Sequence, residues 1–154
     1  MNVEYINPFI EASQTVLKSI ANIDSSIGKV YLRTSSYSSD TLAIVIGLIG
    51  DIRGQIIFSM NRAVACKIAS AMMMGMPVYE LDEVSKSAVA EAANMILGNA
   101  ATLLYRKGVK TDITPPSLFM GDDMQVFSPK MKTICVPLNI SSNETIELDI
   151  AAVE

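Results

Sequence analysis

At 154 residues, with twelve basic and sixteen acidic side chains and a net charge of −4, the chain has the size of one domain and no basic stripe to track a nucleic acid. It contains no histidine, so Ser-His-Asp and Cys-His mechanisms are excluded, and its scattered carboxylates show no metal-ligand spacing. Half of its residues are apolar, yet the longest apolar run, Leu42 to Gly50, falls far short of the roughly 18 residues that a membrane span requires, so no membrane insertion is expected.

The first segment carries no Lys or Arg before Lys18 and lacks the basic start of a secretory signal, which makes a cytoplasmic protein the expectation. From Val3 to Ala21 apolar residues recur at near-helical spacing, and Asp24, Ser25 and Ser26 are expected to end this first helix. Val30–Arg33, Leu42–Ile49 and Gln55–Met60 read as strands, the last two forming a hairpin about the Gly50 to Gly54 cluster. Asn61 is placed to cap a second helix, which Gly75 and Pro77 stop. Met72, Met73, Met74 and Met76 at its end read as adaptable core filler, and Cys66 and Cys135, each in apolar surroundings, read as buried free thiols.

A third and longest helix opens at Asp82 or Ser85 and runs to about Lys107, ending at Gly108. An extended, twice proline-broken segment follows, then strands near Met124–Phe127, Met131–Leu138 and Glu144–Val153. Pro137 cannot donate to a ladder, so its strand should bend, bulge or lie at an edge. Together these elements predict a single α+β domain over residues 1–154, with a largely antiparallel sheet and three helices.

The third helix carries the functional signal. Val84, Ala88, Ala92, Met95, Ile96, Asn99 and Leu103 approximate i, i+3, i+4 spacing and predict its core-facing stripe. Ser87, Glu91, Asn94 and Gly98 recur at steps of four, three and four, and so share another face, about 100° or less from that stripe. Small neighbours, Ala90 and Ala93 among them, leave Glu91 and Asn94 standing proud on a convex surface. Such a surface suits entry into a cleft of another protein and does not enclose a free small molecule. Taken alone, these residues read as a solvated helix face.

At these positions the chain resembles the CheC, CheX and FliY family of chemotaxis phosphatases. That family's signature is an acidic residue or Ser, then Glu four positions on, Asn three positions further, and a Pro about twenty residues later. Here it takes the form Ser87, Glu91, Asn94, then Thr114 and Pro115. The run SAVAEAANMILGNAA and the DITPP segment look like the CheX branch, which carries one copy of the motif. Glu11 and Gln14 on the first helix, where a second copy would place Glu and Asn, read as a degenerate coincidence.

The resemblance implies a phosphatase that hydrolyses the aspartyl phosphate of a CheY-like response regulator. It implies Mg²⁺ in the regulator's active site, no cofactor of the phosphatase's own, and a homodimer. The regulator already holds most of the machinery, so the helper needs chiefly to position water and charge. Asn94 offers a non-titrating acceptor and donor for the attacking water, while Glu91 can pair with the regulator's Lys beside the phosphate. Ser87, Gly98, Thr114 and Pro115 are expected in the partner-binding rim. Two other readings stay open: an adaptor or switch-complex domain that binds the phosphorylated regulator without hydrolysing it, and a dimeric structural protein whose apolar surplus is interface.

Overall fold

A computed structural model describes residues 2–125 and 131–154. Three helices, α1 (Val3–Ala21), α2 (Arg62–Met72) and α3 (Glu83–Arg106), pack on a sheet of eight strands. The strands are β1 (Ser26–Ile27), β2 (Tyr31–Leu32), β3 (Thr41–Gly50), β4 (Arg53–Asn61), β5 (Thr111–Ile113), β6 (Ser117–Gly121), β7 (Ile134–Ser141) and β8 (Glu144–Val153). The main path runs β1-β7-β8-β4-β3-β5, with β2 also on β7 and β6 also on β3, and every pairing is antiparallel. This is the α+β single-sheet arrangement expected from the sequence.

Period-2 burial explains the sheet. Leu42, Ile44, Ile46 and Leu48 of β3, Ile56 and Phe58 of β4, and Ile146, Leu148 and Ile150 of β8 enter one core with Phe9, Val16 and Leu17 of α1. Each such side chain contributes about 1.5–3 kcal/mol when taken fully out of water. The β3–β4 hairpin forms in the expected place, with Leu42 opposite Met60 and Leu48 opposite Gly54.

The opposite sheet face is closed at one end by a polar cluster. Arg33 Nε lies 2.6 Å from Asp149 Oδ2, the Tyr37 hydroxyl donates to the same oxygen at 2.6 Å, and Arg33 Nη2 lies 3.0 Å from Glu147. Tyr31 and the Cys135 thiol also donate to Glu147. Burial alone would push the Glu147 carboxyl up, but the bonds from Tyr31 and Cys135 and the Arg33 charge outweigh it and hold the group below its ordinary value. Burial raises the Tyr37 and Cys135 groups, reinforced at Tyr37 by the Asp149 charge.

Several local expectations are corrected. The first helix spans Val3–Ala21 as expected, but Asn22 rather than Asp24 to Ser26 closes it, taking a left-handed φ of 52° and returning its N–H to Leu17 and Lys18 carbonyls. Val30–Arg33 forms only the two-residue β2, at the sheet edge. The expected strand near Met124 is absent at Met124 and Gln125; Val126 and Phe127 lie outside the described residues, and β6 pairs with β3 instead. Met74 is 98% exposed and Met76 59% exposed, so these two are not core filler, while Met72 does pack on the core. Cys66 is only half-buried, unlike Cys135. Pro137 sits within β7, where its carbonyl accepts from Gly28 N–H at 2.8 Å and the edge chain breaks between β1 and β2. That break removes the demand for the donor proline lacks.

Candidate functional site on the third helix

The helix that carries the motif starts on a capping box. Asp82 Oδ1 accepts from Ser85 N–H and Ser85 Oγ accepts from Asp82 N–H, both at 2.8 Å, so Asp82 is the cap and Ser85 is already helical. The Ser85 bonds hold the exposed Asp82 carboxyl below its ordinary range. At the other end, Lys107 caps and Gly108 takes φ 84°, closing the helix where expected.

The core stripe differs from the sequence expectation. The buried residues are Ser85, Val89, Ala92, Ala93, Ile96, Leu97, Ala100 and Leu104. Of the stripe read from spacing, Ala92 and Ile96 are buried, but Val84 is 63% exposed and Met95 40% exposed. Alanines on every side of this helix blur its periodicity.

At 100° per residue, the row Ser87, Glu91, Asn94 and Gly98 lies about 160° from the true stripe, nearly opposite the core. It spans roughly 16 Å of helix. Ser87 and Glu91 are exposed, Asn94 and Gly98 half-buried. Among the described residues, neither the Glu91 carboxylate nor the Asn94 amide has a side-chain partner within the chain. Gln14 of α1 behaves differently, because its amide donates to the Ser25 carbonyl at 3.1 Å. The α1 pair therefore presents no free equivalent of Asn94.

Thr114 and Pro115 follow β5, against which α3 packs. Thr114 donates its N–H to the Gly47 carbonyl at 3.0 Å, and its hydroxyl accepts the Gly47 N–H at 2.8 Å. A Cβ at Gly47 would meet Thr114 Cγ2 at 3.0 Å, so a glycine there permits the close approach. This clamp fixes the start of the proline segment on β3 and leaves Pro115 exposed. No hydrogen bond among the described residues joins this segment to the Glu91 and Asn94 side chains.

Among the described residues no group of three Cys, Asp or Glu side chains is placed to hold a metal ion. The exposed Glu91 and half-buried Asn94 thus sit on a convex helix face backed by an antiparallel sheet. The family model described as "Chemotaxis phosphatase CheX" matches residues 42–139. CheY-P phosphatase CheX of Thermotoga maritima is 31% identical over 151 residues, covering 98% of this chain and 97% of that protein. Two solved structures extend the likeness. A CheC-like superfamily protein from Shewanella sp. PV-4 superposes with a TM-score of 0.88 at 27% identity, covering 100% of both chains. CheX in a CheX–CheY–BeF3–Mg²⁺ complex from Borrelia burgdorferi gives 0.79 at 31% identity, covering 97% of this chain and 98% of that one. The chain belongs to the CheX family of chemotaxis phosphatases.

Proposed function

We propose that this chain is an aspartyl-phosphate phosphatase acting on a CheY-like response regulator, and that α3 works by entering the regulator's phosphate site. The observation that carries this reading is the pair Glu91 and Asn94: one turn apart, opposite the core and without a side-chain partner among the described residues, in a member of the CheX family.

The chemistry follows from what each group offers. An aspartyl phosphate is a labile acyl phosphate, and its hydrolysis depends chiefly on an in-line water and on neutralised charge. The Asn94 amide can hold that water through its carbonyl or NH₂ without changing protonation, and its half-buried position restricts where the water sits. The Glu91 carboxylate, one turn back, pairs with the regulator's Lys beside the phosphate and sets the docking register. Mg²⁺ belongs to the regulator, as the Mg²⁺ of the Borrelia complex suggests. Ser87, Gly98 and Pro115 form the surrounding contact surface, and Thr114 holds the proline segment in place through Gly47. None of the described helices is long and apolar enough to cross a membrane.

The test is phosphate release from a phosphorylated, Mg²⁺-loaded CheY-like regulator with substoichiometric phosphatase. Many turnovers per molecule support the reading. Tight binding to the phosphorylated form without release overturns it in favour of an adaptor.

A further inference from the structure

Beside the catalytic row a groove of about 400 Å³ runs between α1 and α3, bordered by Thr15, Ser19 and Ile20 on one side and Met95, Gly98 and Thr102 on the other. We propose that this groove seats an uncharged, partly apolar segment of the phosphorylated receiver domain while Glu91 and Asn94 enter its phosphate site. The groove thereby helps decide which receiver is accepted. This inference rests on the phosphatase reading above.

Three observations select this occupant. First, the groove and the row share Gly98, one turn beyond Asn94, so a protein seated over Asn94 also covers the groove's edge. Second, Gly98 answers no internal need. Its φ is not positive, and a Cβ built there meets nothing within 4 Å. Glycine weakens a helix interior relative to alanine, and what it leaves here is bare backbone open to close approach. Third, no lining residue is charged, and the adaptable Met95 side chain stays 40% exposed at the rim. A charged segment would lose hydration there without gaining a counter-ion, whereas an aliphatic or aromatic side chain with nearby backbone amides matches the threonine and serine border.

Area points the same way. A specific protein interface covers roughly 800 Å² on each partner, drawn from about 20–30 residues. Four residues on one convex helix fall short of that, and the groove extends the footprint onto α1.

Thr15 and Ser19 are exposed on α1 and lie outside the catalytic row, so Thr15→Phe with Ser19→Phe fills the groove from its far wall. Phosphate release is followed as receiver concentration is varied, and affinity is measured separately with receiver loaded with Mg²⁺ and beryllium fluoride. The expected result is a KM and a Kd each raised about tenfold or more, with kcat and melting temperature unchanged. Thr102→Phe, from the α3 wall, gives the same effect and serves if the α1 pair misfolds. Unaltered KM and Kd in both filled variants overturn the proposal. A changed oligomeric state in sedimentation with unaltered KM also overturns it, assigning the groove to a second copy of the chain. If wild type releases no phosphate yet filling the groove still abolishes receiver binding, the phosphatase reading falls and the groove assignment stands.

Discussion

Two polar clusters lie on opposite sides of the same sheet and are built on opposite terms. On the far face Arg33, Tyr37, Glu147 and Asp149 are tied to one another, with Asp149 wholly buried. On the helical side Glu91 and Asn94 stand outward with no side-chain partner among the described residues. The first cluster carries shifted proton affinities at Arg33, Tyr37 and Glu147 and by that measure looks like an enzyme site. Yet its donors and acceptors are already used on each other, and engaging a partner there means breaking buried bonds. The helix pair has no such bond to break among the described residues. Perturbed protonation marks a structural lock here, while unspent hydrogen-bonding capacity marks the proposed site.

That contrast can be broken by substitution on either side. The largest effect is expected at Asp149→Ala, which breaks a buried ion pair and leaves the Arg33 guanidinium with Glu147 alone as carboxylate partner among the described residues, and should cost about 3–5 kcal/mol in urea unfolding. Its phosphatase turnover, measured where it remains folded, should be near wild type. Glu91→Ala inverts the pattern: kcat/KM for phosphorylated receiver falls about tenfold or more, equivalent to roughly 1.4 kcal/mol, with stability changed by less than about 0.5 kcal/mol. Stability loss at Glu91 matching that at Asp149 would erase the distinction.

Two smaller effects sharpen it. Gly98→Ala should stabilise the fold by about 0.5–1 kcal/mol in thermal or urea unfolding, since nothing lies within 4 Å of the new methyl group. Receiver affinity in that variant should weaken, dissociating stability from function at one position. Glu147, whose carboxyl is held below its ordinary value, contributes stability in full above an unfolded pKa of about 4.3. That contribution is lost as pH falls through the lower folded value. Urea midpoints at pH 7 and pH 3.5 should therefore differ more in wild type than in Glu147→Gln.

Local signals wrote much of this fold legibly. The Asn61 cap, the Gly108 stop and the hairpin between β3 and β4 each depend on residues a few positions apart, and each forms where the sequence puts it. The shared face of Glu91 and Asn94 was legible from their spacing, but spacing alone reads as a solvated helix face. Only the resemblance of the Ser87, Glu91, Asn94 and Pro115 pattern to a known family singles them out. The phase of α3 against the core was not legible, because its alanines satisfy several stripes and only packing chooses among them. β6 follows two prolines and offers a short, mixed SLFMG run whose strand state comes from pairing with β3. The Arg33–Asp149 lock joins residues 116 positions apart, and the α1–α3 groove exists only once the two helices meet.

The most direct measurement is single-turnover and steady-state phosphate release by Asn94→Ala, with its unfolding midpoint and its affinity for Mg²⁺- and beryllium-fluoride-loaded receiver taken alongside. The expected result is a loss of about 10²-fold or more in rate, with folding preserved and binding weakened far less than turnover, as loss of a water-positioning contact requires. Full activity from a folded Asn94→Ala protein would contradict the assignment and remove α3 from the chemistry.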